Sequence, residues 1–308
     1  MPAIITHHLF GEDAANILPE ETIVGQEELL AFLLGNQGPD PLYARFSTRP
    51  AVAKRCHKLA DALYDSKVVE AFIAARNAVV HLSEDDKRVG RAFVLGFLGH
   101  YVLDSTTHPF VYAQQHAICD AGEGLQNLGS EVHALIESDI DVWMLWNQRG
   151  LTVEDAPVTQ NLAHTDRVTR VAGAIISQVA HEVFQIEVGT NEYGNAVNDY
   201  ELTYALIDPA GTHISNAIGH IERKFRHKSY LQALAHRVSE GEDSASVNLE
   251  RHRWRDPYTG KSSTDSFADL YFIALDRWPS FADALIAGDA TRLKRLACGI
   301  NYNGEAEI

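Results

Sequence analysis

Two short stretches put ionisable side chains inside strongly apolar, helix-forming runs. In GHYVLDSTTHP, His100, Asp104 and His108 stand four residues apart, and in EVHALIESD so do His133 and Glu137. Residues four apart share one face of an α-helix, so each run aims its ligand-type side chains at one place. Phe93, Val94, Leu95, Phe97 and Leu98 lead into His100. An ionisable group in such surroundings is unfavourable unless something pairs with it. Taken singly, each of these residues reads as a hydrogen-bonded core group. Five at this spacing point to a buried metal cluster. Gly96 and Gly99, just before His100 and Asp104, are small enough for a neighbouring backbone or a metal to come close.

Helical periodicity dominates the rest of the chain and predicts an all-α protein. Helices are expected over Gln26–Leu34, Pro50–Tyr64 and Lys67–His81. Ser83 opens a capping-box pattern with Asp86, starting a helix that should run to about Thr107. His108 precedes Pro109, which disfavours helical backbone there, so His108 is expected at a frayed end, turned differently from His100 and Asp104. Leu128–Trp146 is apolar nearly all round and should be central. Further helices are read over Thr165–Ile186, Ala196–Leu206, Thr212–Phe225, Tyr230–Val238, Phe267–Ala287 and Ala290–Leu296. Strand signals are scarce. The polar stretch 240–264 reads as a long loop, and no linker divides the chain, so residues 1–308 are expected to form one domain.

The chain has 308 residues, 45% of them hydrophobic, enough for a sizeable core. A formal net charge of -16 should repel nucleic acid and anionic membranes unless metals or local patches reverse the sign, and long polyanions need a basic track. Three cysteines, an odd number with no CxxC spacing, argue against a disulfide framework and disfavour thiolate zinc sites. Any zinc must be held by His and carboxylates. No signal-peptide pattern and no membrane-spanning run are present, so a cytoplasmic location is expected.

Other candidates are more open. Asp40, between Pro39 and Pro41, is a carboxylate on a stiff turn, or a helix-capping Asp. His57, beside Cys56, is either a ligand or a surface histidine. His7 and His8 are adjacent and should point apart. Arg251, Arg253 and Arg255 with His252 and Trp254 form a dense basic-aromatic patch, read either as a contact for phosphate or a lipid headgroup or as a loop held by Trp254 and Tyr258. His213 and His220 could share a helix face, most simply as polar residues.

These residues together resemble the bacterial zinc-dependent phospholipase C family, whose fold is shared with single-strand-specific nucleases. The resemblance rests on His7 with Phe10-Gly11, the Gly-x-x-Gly-Pro-Asp turn ending at Asp40, HYVLDSTTHP, HALIESD and the later RWRDPYTGKSSTDSFADLY. It implies an all-α multi-helix fold and two or three zinc ions. Asp40, His57, His100 and Asp104 resemble the ligands of the first. His108, His133 and Glu137 resemble those of the second. His7, with Asp104 as bridge, resembles part of the third. Secreted members complete that third site with an N-terminal Trp. This chain begins Met-Pro, so either a free Pro2 amine substitutes, or the third site is weak, empty or filled by water and His7 alone.

Nitrogen and carboxylate ligands suit zinc, iron or manganese. A carboxylate shared by two metals suits phosphoester hydrolysis through a metal-activated water, with Asp104 as the bridge and Asp40 orienting or deprotonating the water. The expected substrate is a phosphoester, soluble or phospholipid-like. Two alternatives stand: a single-strand nuclease of the same fold, and a non-catalytic helical protein that binds zinc for stability. An open coordination position would favour catalysis over the last.

Overall fold

The computed structural model describes residues 3–223, 228–241 and 244–307. Among these residues the protein is built from helices: α1 (Ile4–Ile17), α2 (Gln26–Gly35), α3 (Pro50–Asp65), α4 (Val68–Val80), α5 (Lys87–Ala121) and α6 (Gly129–Arg149). There follow α7 (Asp166–Phe184), α8 (Glu192–Ile207), α9 (His213–Glu222), α10 (Tyr230–Leu234), α11 (Phe267–Ala287) and α12 (Ala290–Ala297). Short 3-10 turns cover Asp40–Ala44, Val158–Leu162 and Ala245–Val247. The only strands among the described residues are β1 (Trp254–Arg255) and β2 (Ser262–Ser263), an antiparallel pair inside the polar stretch read as a loop. The fold is all-α, as the periodicity predicts. None of the helices described is long and apolar enough to cross a membrane.

Helix α5 is the axis of the molecule. It runs 35 residues and is buried along most of its first 25, from Val89 to Val111. It continues through Pro109 rather than ending near Thr107. The proline ring removes one helical donor, but Phe110 and Val111 just beyond it are buried, and their packing outweighs the local preference. His108 is therefore not frayed: it stays in register with Asp104. At its start the helix begins at Lys87, one turn later than the Ser83 pattern suggests. The Ser83 hydroxyl instead donates to Asp86 and accepts from the Asp86 N–H, closing a turn ahead of the helix.

Helix α2 packs backbone-to-backbone on α5. A Cβ on Gly96 would stand 1.9 Å from the Phe32 carbonyl oxygen, so only glycine permits this approach. The small residue thus serves a neighbouring helix rather than a metal. The closeness carries the end of α2, and the turn after it, directly over His100. Past that turn, the buried Arg45 bonds to Glu192 (2.8 Å) and Asp199 (2.6 Å), tying it to α8.

Helix α1 was not legible in the sequence because its own N-terminus carries no capping side chain. The cap comes from α6. Asp141, fully buried, accepts from the N–H of Ile5 (2.9 Å), the N–H of Thr6 (2.8 Å) and the Thr6 hydroxyl (2.5 Å). A carboxylate at a helix N-terminus satisfies orphan donors and opposes the helix dipole. It also corrects the expectation that α6 is apolar nearly all round: Glu137, Ser138 and Asp141 are buried on it, while Leu135 is exposed.

Asp141 is held in turn by His236, whose Nε2 lies 3.1 Å from Asp141 and whose Nδ1 lies 2.8 Å from Asp208. Burial opposes the imidazolium, but the Asp208 and Asp141 carboxylates outweigh it and push the His236 pKa up to about 10. An unfolded histidine titrates near ~6.5, so folding takes up a proton between these values. The resulting stabilisation, on the order of a few kcal/mol, is full below about pH 6.5 and is lost as pH rises through about 10. We expect a denaturant midpoint that falls from pH 7 to pH 10 in the native chain and a much flatter profile in His236→Gln. Equal slopes for the two proteins would remove His236 from the explanation.

Candidate metal centre

Four elements bring five side chains to one buried polar group. His100 and Asp104 come from α5, His7 from α1, Asp40 from the turn after α2, and Tyr64 from the last turn of α3. Asp104 is in the middle. Its Oδ1 lies 3.1 Å from His7 Nε2 and 3.7 Å from His108 Nε2, and its Oδ2 lies 3.0 Å from His100 Nε2. The Tyr64 hydroxyl donates to Asp40 Oδ1 at 2.7 Å and lies 3.1 Å from both His100 Nε2 and Asp104 Oδ2. A second group adjoins the first: Glu137 Oε1 is 3.3 Å from His108 Nε2 and 3.2 Å from His133 Nε2. His7, His100 and Asp104 each bring a ligand atom within 4.8 Å of the others, and so do His108, His133 and Glu137.

The outer bonds of the histidines explain their orientation. His100 Nδ1 lies 2.9 Å from the Asn36 carbonyl oxygen, His108 Nδ1 2.9 Å from the Tyr302 carbonyl oxygen, and His133 Nδ1 2.9 Å from Gln115 Oε1. An oxygen acceptor there requires the ring to carry its proton on Nδ1. The Nε2 lone pair is then free and aimed at the cluster. This is how metal-binding histidines are held. The turn that presents Asn36 and Asp40 passes through Gly38 at φ +56°, where a Cβ would meet the His100 ring at 2.4 Å. The Tyr193 hydroxyl donates to the Gly38 carbonyl at 2.8 Å.

Without a cation these groups conflict. The His7 and His100 rings are stacked with centroids 4.0 Å apart, and His7 Nδ1 is buried with no hydrogen-bond partner. Burial and the facing His100 lower the His7 pKa. Burial also opposes the imidazoliums of His100 and His108, yet Asp104, joined by Asp40 or by Glu137, raises both. Burial favours the neutral acid at Asp104, but the surrounding imidazoles hold its carboxyl well below the usual range. The Asp104 and Glu137 carboxylates, both held ionised, among three buried imidazoles and the half-buried His133, with three of the four locked with Nε2 inward, are a donor set that zinc fits.

His57 is not brought to this group. It sits seven residues before Tyr64 on α3, about 10 Å along the helix axis, half-buried with its Nε2 unpartnered. Tyr64 reaches the cluster from that helix instead. Nothing in its sequence neighbourhood marks a tyrosine as a candidate; only the convergence of α3 on α5 reveals it. His8 pairs with Glu12 on the outer side of α1. The Arg251–Arg255 patch is largely structural: Arg251 pairs with Asp269, Arg255 donates to the Gly260 carbonyl and Trp254 donates to the Asp265 carbonyl. His213 and His220 lie exposed on α9. The Pro2 amine expected at the third site lies outside the described residues, as does Phe225 at the end of one expected helix.

A cavity of about 360 Å³ opens beside the second group. Its wall includes His108, His133, Tyr64, Tyr112, Tyr230 and Asp65. The sequence matches the family model of zinc-dependent phospholipase C over residues 6–181. No curated protein and no solved structure matches the chain significantly. The matched span contains both ligand groups, whereas Tyr230 and Tyr302 come from beyond it. The chain belongs to the zinc-dependent phospholipase C family.

Proposed function

We propose that this protein hydrolyses a phosphate ester using two or three zinc ions held by the two adjoining groups. Asp40, His100 and Asp104 would hold the first, His108, His133 and Glu137 the second, and His7 with the bridging Asp104 a third. Membership of a zinc-dependent family supports the reaction class. The observation that carries the reading is the set of three histidines with Nδ1 committed to oxygen acceptors and Nε2 directed at shared carboxylates beside an open cavity. A structural zinc site would be closed. When bound, zinc supplies Lewis acidity toward phosphoryl oxygens and a nucleophilic water at neutral pH.

The chain's own residues would do the rest. Asp104 sets the separation of the positions by contacting His7, His100 and His108 at once. Asp40 accepts the proton of the attacking water, and the Tyr64 hydroxyl holds the Asp40 carboxylate in place. Tyr112 and Tyr230 narrow the cavity around the leaving group. Among the described residues that line the cavity there is no Lys or Arg, so those residues leave phosphoryl charge to be met at the metal positions. Tyr302 and Tyr230 complete the site from the C-terminal part, and we propose that the whole chain acts as one domain.

The test is elemental analysis of protein purified without added metal, followed by turnover on a panel of phosphodiesters and phospholipids. Two or three zinc per chain with chelator-sensitive hydrolysis is the expected result; metal-free protein inactive on every ester after zinc loading would end the reading. Tyr64→Phe should lower kcat by roughly 10- to 100-fold with zinc content retained. His57→Ala should leave both within about twofold, the scatter of a surface change. The reverse ranking in steady-state kinetics would return His57 to the site.

A further inference from the structure

Helix α9 presents an apolar stripe that the other described residues cover only in part, at Ile218. Ser215 and Gly219 are its buried face. Ile214, Ile218 and Ile221 follow at helical spacing along one flank; Ile214 and Ile221 are each 58% exposed. His213, Asn216 and His220 occupy the opposite, solvent side. The surrounding sequence is charged in the opposite sense to the chain as a whole. From Pro209 to Ser239 the single acid is Glu222, against Arg223, Lys224, Arg226, Lys228 and Arg237, in a protein of net charge -16. Arg223 and Lys228 are exposed.

That one acid is consumed internally. Glu222 accepts from the Ser229 hydroxyl and from the N–H groups of Tyr230 and Leu231, which clasps the end of α9 to the start of α10. Tyr230 is part of the cavity wall, and α10 packs on α6, the helix that carries His133 and Glu137. The apolar stripe is thus tied to the rim of the candidate active site.

An exposed aliphatic stripe bordered by cations and polar residues is the chemistry of a helix that lies in a lipid–water interface. We propose that α9, with Arg223 and Lys228, docks the protein on an anionic lipid surface and so sets the cavity mouth at that surface. This rests on the proposed function for its meaning and adds to it a docking surface, α9, and the partner that surface would meet.

The test is co-sedimentation with vesicles, performed on chelated protein so that binding is read independently of turnover. Vesicles of phosphatidylcholine alone are compared with vesicles that also contain phosphatidylglycerol. Binding to the anionic vesicles is expected, weakening with salt, and Ile214→Ser/Ile221→Ser should lower it by on the order of tenfold or more. Both positions are exposed, and unchanged melting would confirm that the variant folds. Arg223→Glu/Lys228→Glu should also reduce binding by roughly tenfold, by reversing charge at the surface. Absence of binding by the native chain, or equal binding by the folded variants, overturns the proposal. A native dimer that the Ile variant converts to monomer assigns the stripe to self-association and also overturns it. Vesicle binding by a protein inactive on every ester would leave the docking surface standing while the hydrolase reading fell.

Discussion

Asp104→Asn is expected to lower kcat/KM for phosphoester hydrolysis by about 10³-fold or more, the scale of removing one charge-stabilising group from a catalytic centre. Asp104 contacts His7, His100 and His108 simultaneously, so under the proposed function its loss would remove a ligand from more than one position. Zinc content should fall with activity. The metal-free protein should suffer as well. Asp104 is buried and its charge holds the His100 and His108 imidazoles above their usual pKa. Breaking a buried ionic group of this kind costs about 3 kcal/mol. Zinc analysis, steady-state kinetics and chelated melting curves measure the three effects. Full zinc content with native turnover would rule out a bridging role.

Gly96→Ala is expected to be among the most damaging single-methyl additions in the molecule. The added carbon would stand 1.9 Å from the Phe32 carbonyl oxygen and 2.8 Å from the Phe32 carbonyl carbon, both backbone atoms of α2. No rotamer change relieves a backbone clash, so α2 must move off α5. We expect destabilisation of about 3 kcal/mol or more and a fall in Tm on the order of 10 °C. The displacement also carries Asn36 and Asp40 away from His100, so zinc affinity should fall in whatever protein remains folded. A melting temperature within a degree or so of the native value, roughly the precision of the method, would show that the two helices do not need this contact.

The His–carboxylate pairs were legible because helical spacing is a local property. His100 with Asp104 and His133 with Glu137 each lie on one continuous helix, and four residues suffice to put two side chains on one face. His108 shows the limit of local reading. Its proline neighbour argues for a break, but burial of Phe110 and Val111 carries α5 through, and His108 keeps the register that lets it reach both Asp104 and Glu137. Helix α1 shows the complementary failure. It has no cap of its own, and its stabilising carboxylate, Asp141, lies 135 residues away from Thr6 in sequence. His57 was the expected α3 ligand; Tyr64, two turns later, faces the cluster. Periodicity tells which residues share a face, but only the crossing of two helices decides which turn of that face meets the site.

The sequence by itself determined the helical class and the pairing of His and carboxylate side chains on shared helix faces, and its motifs carried the family resemblance. All three follow from short-range spacing, which each helix expresses alone. The tertiary structure decided which element serves each position. It placed Tyr64 rather than His57 beside Asp40, drew the Tyr302 carbonyl under His108, capped α1 with Asp141 and His236, and tied the exposed stripe of α9 to the cavity rim. Those choices depend on how closely helices approach and at what angle, as at the glycine contact between α2 and α5, and no spacing along one strand of sequence encodes that distance.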